Sequence, residues 1–439
     1  MKDGPSTSSG TILKPTFAEA FRFWLKLGFV SFGGPTGQIA IMHTELVERR
    51  RWVSESQFLH ALNFCMLLPG PEAQQLATYI GWLLHRTSGG IVAGTLFVLP
   101  SAFILWLLSY LYVTMGTQPM VASVLWALHA AVIGIVADAV VRIGRKALRN
   151  RAMWLLAAAA FGAIFAFHAP FPLIIVAAAL TGWIGSRFAP FLFAAAPAHG
   201  GAENEAEASA AAPRSHWLAH AARVLVVCGA LWWSPVLAAG MLLGWTHVLT
   251  QQGVFFSQAA LVTFGGAYAV LPFVAQQAVQ HYGWLSAEQM LAGLGLAETT
   301  PGPLIMVLQF VGFVGAWQHP APFSPLIAAT LGAAMTTWCT FLPCFLWIFL
   351  GAPYIEQLRR YPQLGAALTA ITAAVVGVVL NLAVWFAMHV VWRTDTGIDY
   401  VAAAIAVAAF VGLWRFKVSI LLVVAAAAGM GVLRQLSAT

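Results

Sequence analysis

SFGGP at residues 31–35 and LLPGPE at residues 67–72 each interrupt a long apolar stretch with glycine and proline, the two residue types that break helices. Both motifs return at a constant offset of 232 residues, as TFGG at residues 263–266 and TPGP at residues 300–303. Trp52 also has its counterpart at this offset. A shared preference for Leu and Ala would not repeat Gly, Pro and Trp without a gap. The pattern therefore indicates an internal duplication.

The composition excludes a water-soluble globular protein. Of the 439 residues, 60% are hydrophobic and only 8% are charged, whereas about a quarter of a soluble domain is charged. Apolar stretches that approach or exceed the roughly 20 residues needed to cross a bilayer recur along the chain. Stretches such as residues 89–113 are apolar on every face, unlike the alternating strands of a membrane barrel. The sequence therefore predicts an all-α polytopic membrane protein.

Each copy of the repeat contains six apolar elements, and the last two of each copy are short enough to form a helical hairpin. One hydrophilic segment separates the copies, and one further apolar stretch follows it. We predict two six-element repeats joined by a connecting helix, with about 13 transmembrane segments. The predicted domains are a cytoplasmic tail (residues 1–16), the first repeat (17–190), a hydrophilic linker (191–216), the connecting helix (217–245) and the second repeat (246–439).

The distribution of basic residues predicts how the two copies insert. In the first copy, Lys and Arg cluster in residues 142–151, whereas the loop at residues 114–119 is uncharged. In the second copy, the counterpart of that uncharged loop contains Arg359 and Arg360. Because short cytoplasmic loops carry the Lys and Arg excess, the copies are predicted to have inverted topology. This interpretation puts the amino terminus in the cytoplasm and the carboxyl terminus in the periplasm.

The four helix breaks are the main candidates for a binding site. Backbone groups exposed to lipid are costly, so a break is buried in protein or lines a wet cavity. The amino end of a half-helix there offers unpaired N–H groups and a positive dipole end, which suit an anion. In the alternative interpretation, Gly and Pro only kink the helices or allow close packing. The predicted binding residues at the breaks are Ser31, Gly33, Gly34, Pro69, Gly70, Pro71, Thr263, Gly265, Gly266, Thr300, Pro301, Gly302 and Pro303.

Charged and polar residues near the breaks complete the predicted site. Lys26 lies seven residues before Gly33, on the same face of a continuous helix, and would supply a fixed positive charge or reach to the surface. Glu72 and Gln75 follow the first PGP motif, and Glu298 precedes the second. Glu72 either stabilises the start of its helix or couples transport to a proton or cation. Asp138, a further acid predicted inside the membrane, either has such a role or pairs with the arginine one turn later.

Other classes of function have little support in the sequence. The His residues lack metal-ligand spacing, and HExxH, GxSxG and Walker motifs are missing. The four cysteines lie in apolar stretches, which favours buried thiols over a disulfide or a metal site. The formal charge of +7 is dispersed among loops, so a nucleic-acid partner is not expected. We predict no enzymatic activity, no cofactor and no metal.

The motifs resemble those of the chromate ion transporter family in its long, two-domain form. The resemblance rests on SFGGP at residues 31–35, ELVERRRW at 45–52, LLPGP at 67–71, and Gln75 followed by Tyr-Ile-Gly at 79–81. With the second-half echoes it covers nearly the whole chain outside the tail and the linker. It implies a protein of the bacterial inner membrane that exports chromate from the cytoplasm and confers chromate resistance, with sulfate as a competing or exchanging dianion. Gln38 departs from the family pattern, in which we expect His.

The resemblance and the predicted inversion together suggest alternating access around an oxyanion site in the middle of the bilayer. Three alternatives stay open. They are a transporter of sulfate or another small anion, an anion channel, and a membrane enzyme that acts on lipid-linked phosphate. The sequence does not determine the coupling ion or the oligomeric state, for which a homodimer is one arrangement.

Overall fold

The computed structural model describes residues 14–193, 217–352, 362–393 and 397–438. Most of the predicted linker, and the loop with Arg359 and Arg360 that supports the predicted inversion, lie outside the described residues. The described residues are almost entirely helical, apart from a pair of two-residue antiparallel strands, β1 (Trp392–Arg393) and β2 (Gly397–Ile398).

Helices of the first half follow the predicted apolar elements, and two of those elements are interrupted at the predicted breaks. These helices are α1 (Phe17–Val30), α2 (Gly34–His43), α3 (Glu55–Cys65), α4 (Glu72–Met115), α5 (Pro119–Ala147), α6 (Arg151–Phe167), α7 (Phe171–Phe188) and the short α8 (Pro190–Phe193). Helix α4 comprises two helical pieces, because His85 and Arg86 have non-helical backbone angles.

The connecting helix α9 (Trp217–Leu243) leads into the second half. The helices of that half are α10 (Val248–Leu261), α11 (Ala267–Ala275), α12 (Ala287–Thr299), α13 (Val307–Gln318), α14 (Pro325–Gly351), α15 (Pro362–Val390), α16 (Tyr400–Phe416) and α17 (Ile420–Ala438). A one-turn 3₁₀ helix, Leu304–Met306, precedes α13.

The two halves use the same succession of elements with nearly the same lengths. Helices α5 and α15 both have 29 residues, and helices α6 and α16 both have 17 residues. A six-residue π-helical turn follows both α2 and α11, at Thr44–Arg49 and Gln276–His281. The offset of 232 residues therefore relates the local structure at the start of the two halves as well as the motifs.

Matched amino-terminal caps explain part of the repeated sequence. The Ser54 hydroxyl accepts the Gln57 backbone N–H at 3.1 Å, and the Gln57 side chain accepts the Ser54 backbone N–H at 3.1 Å. Ser286 and Gln289 form the same reciprocal pair at 3.1 and 2.8 Å. This capping box satisfies N–H groups that a helix start otherwise leaves unpaired. It fixes the start of α3 and of α12 at equivalent positions.

Seven helices among the described residues are long and apolar enough to cross a membrane, judged by length and composition. Three shorter apolar helices accompany them, at Arg151–Phe167, Leu304–Gln318 and Tyr400–Phe416. With 44 residues, α4 counts as one of the seven although it contains the break at His85 and Arg86. The fold is thus that of an all-α polytopic membrane protein.

The two halves interlock through their long helices. Helix α15 of the second half packs against α6 and α7 of the first, while α5 of the first half packs against α16 and α17 of the second. A Cβ at Gly134 in α5 would lie 2.5 Å from the Ala406 carbonyl oxygen in α16. A Cβ at Gly377, the equivalent position in α15, would lie still closer to the Ala157 carbonyl oxygen in α6. Small residues thus let each long helix approach the other half's hairpin.

We expect Gly134→Ala and Gly377→Ala each to destabilise the protein by about 1–3 kcal/mol, because the added methyl group meets backbone that cannot move freely. Thermal unfolding of the detergent-solubilised protein measures this effect as a lowered Tm. The control is Gly162→Ala in α6, where nothing lies within 4 Å of the added Cβ and alanine favours the helix by up to about 1 kcal/mol. Equal Tm values for all three variants would contradict the predicted close packing.

Candidate functional site

The four breaks meet in two pairs, and each pair contains one break from each half. The Gly70 N–H donates to the Thr263 carbonyl oxygen at 2.7 Å, and the Gly302 N–H donates to the Ser31 carbonyl oxygen at 2.8 Å. Gly70 and Gly302 are equivalent at the offset of 232 residues, as are Ser31 and Thr263. The PGP break of one half therefore bonds to the FGG break of the other, and the arrangement is reciprocal.

Hydroxyl groups at the breaks bond to their own helices. The Ser31 hydroxyl donates to the Leu27 carbonyl oxygen and the Thr263 hydroxyl to the Ala259 carbonyl oxygen, both at 2.6 Å. Thr300 donates to a carbonyl three residues earlier at 2.9 Å. All three residues are buried. Their hydroxyl hydrogens, which the sequence suggested as donors to a ligand, stabilise the carboxyl ends of helices in this conformation.

Open space surrounds the glycines of the FGG breaks. Gly33, Gly265 and Gly266 have φ values of +90°, +79° and +91°, a region that other residues rarely adopt. A Cβ at Gly34, Gly265 or Gly266 would meet nothing within 4 Å, and Gly265 is exposed. The backbone at these breaks is accessible, as a site that binds a ligand through backbone groups requires.

The glycines of the PGP breaks are tightly packed. Gly70 has φ +127°, and a Cβ there would lie 2.8 Å from the sulfur of Cys344. Gly302 has φ +103°, and a Cβ there would lie 2.6 Å from the Cβ of Ser101. The neighbouring prolines of both motifs lie at the same breaks, Pro301 and Pro303 being buried. Both interpretations of the breaks thus have support, with accessible backbone at FGG and close packing at PGP.

The helix starts that follow the PGP breaks differ in charge. Helix α4 begins with Glu72, whereas the equivalent turn of the second half begins with Leu304. The first N–H groups of each start have no partner within the helix. The Glu72 carboxylate lies at the positive dipole end of α4, where it favours the helix. The start at Leu304 and the start of α11 at Ala267 carry no acidic residue in their first turns.

Two buried glutamines attach to the backbone of the breaks. Gln38 donates from Nε2 to the carbonyl oxygens of Ser31 and Gly302, at 3.2 and 2.5 Å. Gln75 donates from Nε2 to the Pro69 carbonyl oxygen at 2.8 Å. Within the described part of the chain, the Oε1 atoms of both side chains are buried without a hydrogen-bond partner. Gln38 thus links the two breaks of one pair, a role that its sequence position did not reveal.

A buried acid connects the two breaks of the second half. The Tyr268 hydroxyl, two residues after Gly266, donates a hydrogen bond to the Glu298 carboxylate, two residues before Thr300. Tyr268 and Glu298 are only 8% and 9% exposed. Arg142 on α5 acts electrostatically on both of these side chains.

Arg142 is the cation of this region. Its Nη2 lies 3.5 Å from the Asp138 Oδ2, so the ion pair one turn apart is present, although at a distance too long for a strong hydrogen bond. Arg142 Nη2 has no hydrogen-bond partner among the described residues. The sequence analysis counted Arg142 with the basic loop and therefore missed it as a site residue.

Lys26 lies on the exposed side of α1, beside the exposed side chains of Leu25 and Phe29. Helix α1 ends at Val30, so the shared helical face that linked Lys26 to Gly33 in the sequence does not extend to the break. The structure brings the four breaks, Gln75 and Glu298 together and leaves Lys26 on the outer surface of its helix.

The ELVERRRW run forms a self-neutralising turn after α2. Arg49 and Arg50 donate to the Glu45 carboxylate at 2.6 and 3.4 Å. Partial burial of the Glu45 carboxyl works to raise its pKa, but the bonds from the two arginines outweigh burial and hold the pKa below its usual value. Arg50 also lies over the rings of Phe23 and Trp52, which attaches the turn to α1. This motif stabilises the fold near the first break.

Comparison with known proteins relates the whole chain to one group of transporters. A family model described as Chromate transporter matches residues 18–183 and 250–432, one stretch in each half. A chromate transport protein of Cupriavidus metallidurans is 29% identical over 97% of this chain and 96% of its own length. A chromate transport protein of Pseudomonas aeruginosa is 30% identical over 94% of this chain and 91% of its own length. No solved structure gives a significant match.

The packing at the breaks predicts that two glycines with similar φ respond differently to substitution. Gly33→Ala should cost about 1–2 kcal/mol, the cost of a left-handed backbone with a Cβ, because its nearest neighbour lies at 3.8 Å. Gly302→Ala should cost a further 1–3 kcal/mol, roughly, from overpacking against Ser101. Thermal unfolding in detergent compares them, and Ser101→Gly should partly restore the Gly302→Ala variant. A Gly302→Ala variant as stable as Gly33→Ala would contradict the close contact.

Proposed function

This chain belongs to the chromate transporter family, and we propose that it exports chromate, a tetrahedral dianion, from the cytoplasm and so confers chromate resistance. The observation that carries the mechanism is the reciprocal hydrogen bonding of the four breaks between the two halves. Transport requires no chemical change in the anion. It requires a site that binds a dianion without a permanent cationic cage, and accessible backbone at broken helices can provide one.

We propose that the two halves have inverted topology and alternate around this site. The reciprocal bonds of Gly70 with Thr263 and of Gly302 with Ser31 support a two-fold relation between the halves. The equivalent glycines Gly134 and Gly377, each packed against the other half, support it as well. In inverted-repeat transporters, rocking of one repeat against the other exposes a fixed central site first to one side and then to the other. With α9 as a single connecting crossing, this gives about 13 segments.

The proposed anion site lies at the accessible FGG breaks and the helix starts beside them. Backbone N–H groups at the start of α11, after Gly265 and Gly266, point out of a positive dipole end. Arg142 supplies the fixed charge in this proposal, since its ion pair with Asp138 at 3.5 Å leaves donors free for a ligand. Lys26 is the other candidate for that charge. Ser31, Thr263 and Thr300 contribute to binding only if their hydroxyls turn away from the helix carbonyls.

The proposed location is the bacterial inner membrane, with the amino terminus in the cytoplasm and the carboxyl terminus in the periplasm. The basic residues that end α5, Arg145 and Lys146, favour the cytoplasmic side for that end of the helix. Sulfate has the same shape and charge as chromate and is the expected competitor. A homodimer within the bilayer is compatible with the proposal, and no nucleic-acid partner is part of it.

Chromate uptake into proteoliposomes tests the proposal. Purified protein should carry labelled chromate in a saturable manner, and preloaded unlabelled chromate should accelerate uptake of the label. Arg142→Gln should lower uptake at low chromate about ten- to a hundredfold, the loss expected for a charged contact worth about 1.5–3 kcal/mol. Arg142→Lys should retain part of the activity.

Lys26→Gln is the matched comparison, because it also removes one positive charge from a helix of the first half. Normal uptake by Arg142→Gln together with loss in Lys26→Gln would move the fixed charge to Lys26. Uptake without saturation or counterflow would indicate an anion channel instead. Wild-type flux equal to that of empty liposomes would refute chromate transport. Sulfate that fails to compete would restrict the site to chromate.

A further inference from the structure

Glu298 is an acid in a place that disfavours its charge. It lies in the last turn of α12, whose carboxyl end is the negative end of the helix dipole. It is 9% exposed, and the hydrogen bond from Tyr268 is the contact that the structure gives its carboxylate. A carboxylate inside the membrane without a directly bound cation is costly, so the protonated form is favoured there.

Glu72 is the contrasting acid. It begins α4, so its carboxylate lies at the positive dipole end and is partly exposed. The charge that acts on it from α5 is Lys146. The thiol of Cys65 faces it from α3. Its surroundings favour the ionised form, and the two acids beside the two PGP breaks therefore differ in the form that the fold favours.

The groups that face Glu298 come from two helices. Tyr268 faces it from α11, and Arg142 and Asp138 face it from α5. With Glu298 ionised, the two acids and one arginine carry a net charge of about −1. With Glu298 protonated, the same cluster is neutral. Because the second-half breaks lie two residues from Tyr268 and from Glu298, a dianion at the proposed site is repelled by the first form and tolerated by the second.

We infer that Glu298 is the proton-binding group of this transporter and that the proton and the anion are carried together. The inference rests on the proposed function. On loading, the Glu298 carboxylate takes up one proton from the side of entry as the dianion binds. On release, the carboxylic acid loses that proton to the other side. One dianion and one proton carry a net single negative charge, so an inside-negative membrane potential drives export.

A pH gradient across proteoliposomes tests the inference, with the membrane potential held at zero by potassium and valinomycin. Wild-type protein should accumulate external chromate when the outside is more acidic, approaching about tenfold per pH unit for one coupled proton. The reversed gradient should suppress uptake. Glu298→Gln, a neutral analogue of the protonated acid, should retain chromate counterflow and lose the response to the gradient.

Three variants keep the test decisive. Glu288→Gln removes an exposed acid from the first turn of the same helix and should keep the wild-type response. Glu298→Asp retains a titratable group and should keep a response, which separates lost proton binding from misfolding of Glu298→Gln. Tyr268→Phe removes the hydrogen bond to the carboxylate and should move the response to higher pH, because that bond favours the ionised form.

A Glu298→Gln variant that responds to the gradient as the wild type does would overturn the inference. The proton would then travel on chromate itself, which is protonated in mildly acidic solution, or on another residue. Accumulation driven by an alkaline outside would also overturn it, because it would indicate exchange of the anion for a proton. Wild-type flux without any gradient response refutes only the inference, whereas the absence of wild-type flux refutes the proposed function.

Discussion

Every broken helix in a bilayer must find partners for its backbone polar groups, and this constraint determines the centre of the molecule. Lipid offers no hydrogen bonds, so each unpaired N–H or carbonyl group there would cost several kcal/mol, roughly. The chain meets the constraint by exchange between its halves. Gly70 and Gly302 each donate to the opposite FGG break, and Gln38 adds two bonds to one pair. Neither half satisfies its own breaks in this way, so the halves depend on each other.

The same interdependence extends through the long helices. Helices α5 and α15 each pack against the final hairpin of the other half, at glycines that occupy equivalent positions. This symmetry is limited to the backbone and the packing. The chemistry is asymmetric, because Glu72 has Leu304 as its counterpart and the cluster of Asp138, Arg142 and Glu298 occurs in a single copy. The duplication thus built the scaffold, and later divergence of a few side chains gave the two sides of the centre different charge.

The sequence predicted the breaks and failed on the side chains around them for one physical reason. Glycine and proline interrupt a helix through their own backbone, so the positions of breaks can be predicted locally. A side chain acts through what its helix faces, which depends on where the helix ends and what packs against it. Lys26 shared a face with Gly33 only in a helix that continued, and α1 ends at Val30. Tyr268 and Arg142 carried no motif, and their proximity to Glu298 arises from helices α11 and α5.

By itself, the sequence determined the solvent, the duplication and the four interruptions, because composition, offset and the conformational limits of Gly and Pro are properties of the chain. It also carried the family relationship that the comparisons establish. Only the tertiary structure decided which breaks pair. It also decided that PGP packs tightly while FGG stays accessible, and that Ser31 and Thr263 direct their hydroxyls to their own helices. Those outcomes depend on contacts between residues more than 200 positions apart, for which local sequence contains no record.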